Sequence, residues 1–458
     1  MADASWYRLD NVGKFYAAQA GGNTQTIFRI AATMADEVDA DALQRALDAA
    51  VALFPGFNVC LRNGLFWHYL VPAPNPPRVE PEVLPVCYNL HADPSSVLFR
   101  VTYHARRINV EVSHIISDGR GTLEFVKALL AAYVEARYGA PAAPAPYAGT
   151  EASKTEDSFS AHYDRAAAGT DAQPQVFHLT GWKNADDPVY LELHYPADAV
   201  HAAAKAAGAT VTSYLIAAVI CALRREMHGA ERERAIHMDV PVDLRALFGS
   251  TTLRNFFGLA YVTYVPGDAD EPVAVIAAEV QQQLAAGTQP ASLKRRVMRM
   301  VKLEKNPLVR AVPLIVKDAA LGFAAWRATR EVTCTVSSLG RVQLDDAVAP
   351  YVEGISALTS PAGLNFILCT CGNDLCIGIS SRFVSLRTAR HLVDVLAAEG
   401  LHGWAALNKD DAQVDAALRE SALEDRLAAI GATWRDHAGR APARDQGRVE
   451  VRAKGGRS

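Results

Sequence analysis

The sequence lacks three features that would assign it to a membrane-spanning, secreted or nucleic-acid-binding class. It has no uninterrupted apolar run of about 18 residues, the length from which a transmembrane helix is inferred. Its first residues carry neither the basic start nor the apolar core of a signal peptide. Its 46 basic and 50 acidic side chains give a formal charge of −4, so no overall field favours nucleic acid or an anionic membrane. We therefore expect a soluble, cytoplasmic protein.

The sequence also lacks the cysteine and histidine spacing of a zinc site. Its seven cysteines are an odd number, scattered through apolar segments. Cys369 and Cys371 share one face of a predicted hairpin strand and Cys376 lies on the partner strand, an arrangement able to bind metal. Because no histidine lies nearby in the sequence, buried reduced thiols are the favoured interpretation, and we expect no bound metal.

The chain does have enough length and apolar content for more than one core. Its 458 residues, 50% of them hydrophobic, predict roughly two to three domains. A stretch rich in Ala, Pro, Gly and Ser, without sustained periodicity, indicates a surface linker. We predict an N-terminal domain at residues 1–145, a linker at 146–175, a C-terminal domain at 176–407 and a helical or disordered tail at 408–458.

Both predicted domains mix strands and helices. In the first, apolar patterns predict strands over residues 26–34, 97–105 and 107–114 and helices over 39–54 and 122–138. The predicted elements of the second are strands at 189–194, 236–242, 257–265, 332–336, 364–371 and 375–381 and helices at 212–227 and 386–401. The fold class is therefore α/β or α+β.

His114 lies at the end of an alternating strand. The period of two places it on the face of Ile108, Val110 and Val112, so the imidazole is expected to be buried or to line a channel. The helical pattern that begins shortly afterwards puts the histidine at a strand-to-helix transition. A neutral imidazole there can take a proton from a hydroxyl, amine or thiol, which makes His114 a candidate general base.

Asp118 and Gly119 follow His114 in the predicted turn. Asp118 can orient the imidazole or hold the loop by pairing with a cation, and Gly119 allows close backbone approach or a positive φ. From the residues alone a second interpretation stays open, in which His114 is a core histidine with its hydrogen bonds made and Asp118-Gly119 is an ordinary turn.

The segment His114-Ile-Ile-Ser-Asp118-Gly119, at the end of a strand in a chain of two α/β halves, resembles the signature of the CoA-dependent acyltransferase superfamily. It is most similar to the alcohol acetyltransferase and polyketide-associated acyltransferase branches. Other segments that resemble this superfamily are Val240-Pro-Val-Asp243-Leu-Arg245, Asn255-Phe-Phe-Gly258 and Ser337-Ser338-Leu339-Gly340.

This resemblance implies two chloramphenicol-acetyltransferase-like domains that form a V-shaped pseudo-dimer. A channel between them would bring donor and acceptor to His114 from opposite faces. The resemblance also implies that Asp118 is mainly structural and pairs with Arg245. Acyl-CoA, expected to be acetyl-CoA, would be a co-substrate, and no cofactor would stay bound.

Three further residues are candidates for the site. Ser337 and Ser338 can supply donors to the oxyanion, although the sequence alone favours a polar turn leaving the strand at 332–336 and only the resemblance favours the functional interpretation. Asn255 can shape the channel, but its segment reads most simply as a turn leading into the next strand.

Two departures from the superfamily narrow the expected reaction. Condensation domains usually carry a second histidine where Ser113 stands here, which disfavours peptide-bond formation, and the Asp-Phe-Gly-Trp-Gly motif of plant acyltransferases is missing. The expected function is acyl transfer to the hydroxyl of a small or lipid-like alcohol. Two alternatives stay open: a condensation-type enzyme that uses a carrier-protein thioester with an amine or alcohol acceptor, and a binding scaffold without catalysis.

A basic run interleaved with apolar residues at helical spacing has two interpretations. Lys294, Arg295, Arg296, Arg299 and Lys302 can meet CoA phosphates or an acidic carrier protein, or they can form a solvated helix face.

Overall fold

The fold consists of two α/β halves. The computed structural model describes residues 6–20, 26–90, 95–141, 147–164, 175–267 and 270–408. The parts of the predicted linker at 165–174 and of the predicted tail at 409–458 lie outside the described residues, and the domain boundaries stay a prediction.

The first half provides seven strands and four helices among the described residues. These elements are β1 (Tyr7–Arg8), α1 (Asn11–Ala17), β2 (Ile27–Met34), α2 (Ala40–Leu53), β3 (Val59–Asn63), β4 (His68–Pro72), β5 (Val79–Pro81), β6 (Phe99–His104), β7 (Arg107–Ser113), α3 (Gly119–Tyr138) and α4 (Ser158–Ala161).

The second half provides eight strands and eight helices within the described ranges. These elements are β8 (Val189–Pro196), α5 (Ala197–Ala206), α6 (Val211–Arg224), β9 (Ile236–Asp243), α7 (Arg245–Phe248), β10 (Phe257–Tyr264), α8 (Val273–Gly287), α9 (Pro290–Glu304), α10 (Pro307–Ala311), α11 (Leu314–Ala328), β11 (Cys334–Val342), β12 (Val352–Thr359), β13 (Leu364–Cys371), β14 (Asp374–Ser381), α12 (Arg387–Ala398) and β15 (Trp404–Leu407).

Two large sheets carry the two cores. The sheet of the first half has the order β12-β2-β7-β6-β5, and α2 and α3 bury their apolar faces against it. The seven-stranded sheet of the second half has the order β10-β9-β11-β13-β14-β8-β15, and α6, α8 and α12 pack on one face of it. A small sheet, β1-β4-β3, completes the first half.

Strand β12 connects the halves, because it belongs by sequence to the second half and by pairing to the sheet of the first. It runs antiparallel to β2, with Ala357 opposite Ile30. A buried hydrogen-bond network reinforces this crossing. Arg107 of β7 donates to both carboxylate oxygens of Glu192 on β8, at 2.7 and 2.8 Å, and Ser356 of β12 donates to Glu192 at 2.8 Å.

Two of the predicted elements differ from the structure in ways that affect the site. The predicted helix at 122–138 begins three residues earlier, at Gly119, because the Asp118 side chain caps its first turn. The predicted strand at 332–336 begins at Cys334 and continues to Val342. Ser337 and Ser338 therefore lie within a strand, and their interpretation as a turn is wrong.

A buried charge cluster fixes β7, the strand that leads to His114. The carboxylate of Glu111 is fully buried and accepts hydrogen bonds from Arg29 of β2 and Arg100 of β6. It also accepts one from the backbone amide of Cys87 at 2.7 Å. Arg100 thus depends on this carboxylate inside the sheet, and Arg29 is shared between it and Glu82.

Among the described residues no single helix is long and apolar enough to cross a membrane. Helices α5 and α6 meet that criterion only when they are taken together, and the pair is bent by 83°.

Replacing Glu111 tests this cluster. We expect Glu111→Ala to lower the free energy of unfolding by about 3–5 kcal/mol, because it leaves Arg100 without its anion and Arg29 with only Glu82. The matched control is Glu353→Ala, which removes an ion pair to Arg106 whose two side chains are about half exposed, and it should cost about 1 kcal/mol or less. Urea denaturation followed by circular dichroism measures both. Equal losses for the two variants would contradict the assignment.

Candidate active site

The imidazole of His114 lies between two aromatic rings at the end of β7. Tyr16 of α1 stacks on it with ring centroids 4.8 Å apart and an interplanar angle of 21°. Phe28 of β2 packs against it at 4.4 Å. The backbone amide of His114 donates to the carbonyl oxygen of Thr26 at 2.8 Å. Packing therefore orients this ring.

His114 is neutral at physiological pH. Burial lowers the pKa of His114 from 6.5 to about 4, and the nearby negative charge of Asp118 opposes this shift only in part. Nδ1 is buried without a hydrogen-bond partner, whereas the ring as a whole is partly exposed and lines a cavity. Nε2 is thus the nitrogen that a substrate can reach, and it is available to accept a proton.

Asp118 connects the loop after His114 to the second half of the chain. One carboxylate oxygen caps α3 by accepting from the amide of Gly121 at 2.8 Å. The other accepts from the amide of Phe256 at 2.8 Å. Arg245 Nη2 donates to both oxygens, at 2.9 and 3.1 Å, so the ion pair that the sequence predicts is present. The carboxylate makes no contact with the imidazole that would orient it, which fits a structural role.

The segment 253–256 encloses the loop 114–118 with one hydrogen bond from each of its residues. Leu253 accepts from the Ser117 hydroxyl at 2.7 Å, and Phe256 donates to Asp118. The remaining two hydrogen bonds run from Arg254 Nη1 to the Ile116 carbonyl at 3.2 Å and from Asn255 Nδ2 to the His114 carbonyl at 2.8 Å. Hydrogen bonds to both the backbone and the side chains of the loop therefore fix its position.

Asn255 is a positioning residue rather than part of the channel. It is fully buried and does not line the cavity. Besides the His114 carbonyl, its amide reaches Asp10 Oδ2 at 3.1 Å. Asp10 in turn caps α1, the helix that carries Tyr16. One hydrogen-bonded chain thus connects the backbone of His114 to the helix whose ring packs on it.

Two glycines let the loop approach its neighbours. A Cβ at Gly119 would lie 2.7 Å from Leu339 Cδ2, so this glycine serves close approach and not a positive φ. A Cβ at Gly121 would overlap the carbonyl oxygen of Leu253. Gly121 therefore excludes larger side chains because it faces backbone, whereas a Cβ at Gly119 requires the Leu339 side chain to shift.

A cavity of about 2170 Å³ lies between the halves and reaches His114. The first half contributes Tyr16, Phe28 and His114, and the second contributes β9, β10, β11, β13 and α11. The volume exceeds the ~300–1,000 Å³ of an ordinary small-molecule pocket, so there is room for two substrates.

Ser337 and Ser338 both line this cavity. Ser338 Oγ accepts from the amide of Gly340 at 3.2 Å, whereas Ser337 has no hydrogen-bond partner in the described structure. Leu339 follows directly and contacts Gly119, so β11 brings Ser337 close to the active-site loop.

The basic run is a helix, α9, that is only partly solvated. Arg296, Arg299 and Lys302 line the cavity, and Lys294 pairs with Asp164 at 2.8 Å. No group of three or more metal-ligating side chains occurs in the ranges that the structure describes.

The sequence analysis did not identify Tyr16, which lies on a helix too short to show periodicity. It also did not identify Asp239, although an acidic residue alternating with Met238 and Val240 in a strand is a signal for a polar face.

A family model matches part of the chain. Residues 191–321 match the phthiocerol/phthiodiolone dimycocerosyl transferase C-terminus. No curated protein sequence is significantly similar to the chain.

Solved structures match it over most of its length. Polyketide synthase associated protein 5 from Mycobacterium tuberculosis is 14% identical, with a TM-score of 0.57 over 85% of this chain and 97% of that one. The first condensation domain of the calcium-dependent antibiotic synthetase is 18% identical, with a TM-score of 0.58 over 88% and 99%. The chain therefore has the fold of polyketide synthase associated protein 5 and of condensation domains.

Another match is to the structure titled "Molecular basis for condensation domain-mediated chain release from the enacyloxin polyketide synthase", at 17% identity and a TM-score of 0.52 over 87% and 83%. Polyketide synthase associated protein 5 and condensation domains therefore share this fold with the chain. In this chain, His114 lines the cavity between the two halves.

Replacing Asp118 tests its structural role. We expect Asp118→Ala to lower the free energy of unfolding by about 2–4 kcal/mol, because two buried backbone amides lose their acceptor and Arg245 keeps only Asp243 as an anionic partner. Asp39→Ala is the matched control, since Asp39 caps α2 in the same way but is partly exposed, and it should cost about 1 kcal/mol. A melting temperature of Asp118→Ala equal to that of the wild type would rule out the structural role.

The protonation state of His114 can be measured by NMR. We expect one of the 13 histidines to titrate near pH 4, with its resonance assigned by its absence in His114→Gln. Because the folded state binds this proton more weakly than the unfolded chain, the contribution of His114 to stability falls as the pH drops from 6.5 towards 4. Titration near pH 6.5 would contradict the neutral, buried site.

Proposed function

We propose that the chain is an O-acyltransferase that transfers an acyl group, expected to be acetyl, from acyl-CoA to the hydroxyl of a small or lipid-like alcohol. His114 acts as the general base. The observation that carries this proposal is a neutral imidazole with one accessible nitrogen inside a cavity that both halves line.

The proposed chemistry needs no covalent enzyme intermediate. Nε2 of His114 removes the proton of the acceptor hydroxyl as its oxygen attacks the thioester carbonyl carbon. The tetrahedral oxyanion collapses with cleavage of the C–S bond, and the protonated imidazole returns the proton to the departing thiolate. A base with a low pKa is suited to this step when proton removal and attack are concerted, because the imidazole carries a charge only briefly.

The oxyanion requires hydrogen-bond donors that are in place before the reaction. Ser337 and Ser338 are both candidates, because the Ser337 hydroxyl has no partner in the described structure and the Ser338 hydroxyl, which accepts from the amide of Gly340, keeps its proton to donate. Tyr16 is a further candidate, since its ring stacks on His114 and the residue lines the same cavity.

The basic side chains of α9 favour an acyl donor that carries negative charge. Arg296, Arg299 and Lys302 line the cavity, and guanidinium and ammonium groups bind phosphate oxygens through charge-assisted hydrogen bonds. This feature suits the phosphates of CoA, and it also suits the phosphopantetheine arm of a carrier protein.

Thiol release tests the function. A panel of acyl-CoAs is offered with pooled alcohols and amines, and free thiol is detected with a chromogenic disulfide. We expect acceptor-dependent release from the wild type and a loss of at least about 100-fold in His114→Ala, because the general base is gone. The matched control, His201→Ala, removes an exposed histidine on α5 and should keep full activity.

The outcomes separate the alternatives. Release only with acyl groups on a carrier protein would favour a condensation-type enzyme. Equal rates for His114→Ala and the wild type would refute general-base catalysis by His114. If a folded protein that still binds acyl-CoA shows no turnover with either kind of acyl donor, the non-catalytic scaffold is the remaining interpretation.

A further inference from the structure

Asp239 lies on the cavity side of the seven-stranded sheet, and the proposed chemistry does not use it. Along β9, Asp239, Pro241 and Asp243 line the cavity, while Met238 and Val240 point into the core on the other face. The alternation of the strand thus directs this carboxylate into the cavity.

Asp239 belongs to a row of polar side chains that crosses four strands. The strand register places Tyr261 of β10 and Thr335 of β11 opposite Asp239, and Asn365 of β13 opposite Thr335. Because residues paired across a sheet share a face, all four side chains lie on one side, and all four line the cavity. We call this set the polar row.

The carboxylate has no compensating cation. The Thr335 side chain hydrogen-bonds to the Asp239 carboxylate, but Oδ1 is buried without a hydrogen-bond partner, and no ion pair joins Asp239 to an arginine or lysine in the described ranges. Arg296 packs on the Tyr261 ring at 5.1 Å and donates to the carbonyl of Leu259. A buried carboxylate in this state is costly, and a ligand that supplies a positive charge removes the cost.

The polar row is within electrostatic reach of the catalytic histidine. Tyr16 stacks on His114, and burial together with the negative charge of Asp239 raises the pKa of Tyr16. Burial also raises the pKa of Asp239, to about 6, so the group is mainly ionised at neutral pH. One molecule can therefore contact both the carboxylate and the imidazole.

We propose that Asp239 binds a protonated amine of the acceptor, which makes the preferred acceptor an amino alcohol whose hydroxyl reaches His114. This inference rests on the proposed O-acyltransferase function and specifies its acceptor. The ammonium forms a charge-assisted hydrogen bond to Asp239, and Thr335 and Asn365 provide neighbouring polar contacts.

The test compares acceptors that differ only in charge. A series of alkanols with a terminal dimethylamino group is paired with carbon isosteres that end in an isopropyl group. The tertiary amine cannot form a stable amide, so only ester formation is measured. We expect a KM at least about tenfold lower for the amino alcohol of the best length, and we expect Asp239→Asn to abolish this preference while leaving the isostere unchanged.

Glu331→Gln is the matched control, since it removes another acidic side chain that lines the cavity but is paired with Arg327. It should keep the preference. Equal KM values for the two acceptors in the wild type, or a parallel change for both in Asp239→Asn, would overturn the proposal.

Calorimetric binding of the amino alcohols without any acyl donor separates this proposal from the function on which it rests. Binding to the wild type that weakens at least about tenfold in Asp239→Asn supports the amine site even if no acyl transfer is detected. Turnover of neutral alcohols together with equal amine binding by both proteins refutes the amine site and leaves the acyltransferase function intact.

Discussion

The structure of the site depends on how the loop 114–118 is held between the two halves. Arg245 and the segment 253–256 belong to the second half, yet together they bond to four of the five residues of a loop in the first. A buried ion pair such as Asp118 with Arg245 adds little net stability, because desolvation offsets the attraction. What it does provide is a unique arrangement, since any displacement of the loop leaves several buried groups without partners.

The orientation of His114 has a different origin from that of a histidine in a catalytic triad. There, a carboxylate bonds to one ring nitrogen and stabilises the charged imidazolium. Here no carboxylate in the described structure bonds to Nδ1, the Asn255 side chain and the Ser117 backbone amide interact with the ring without a well-aligned hydrogen bond to Nδ1, and Tyr16 and Phe28 fix the ring by packing. The same packing removes water and keeps the imidazole neutral, so the ring's orientation and its protonation state have one cause.

The cavity depends on the connection between the halves. Strand β12 links the two large sheets along β2, and the Arg107–Glu192 ion pair links them at the end of β7 opposite to His114. The loop contacts form a second link at the histidine itself. These two links hold the cavity walls, including the polar row and α9, in a defined position relative to His114. Two substrates that react with each other beside one base require such a fixed geometry.

The sequence by itself determined the features that depend on local periodicity. Alternation placed His114 at the end of a strand, helical spacing located α2 and α6 to within three residues, and the His114 to Gly119 motif with Arg245 indicated the loop and its partner. Only the tertiary structure decided the rest. The pairing of Ala357 with Ile30 joins residues more than 300 positions apart, and no local pattern encodes it. The low pKa of His114, the positioning role of Asn255 and the unpaired charge of Asp239 arise from burial, which depends on which surfaces the folded chain brings together.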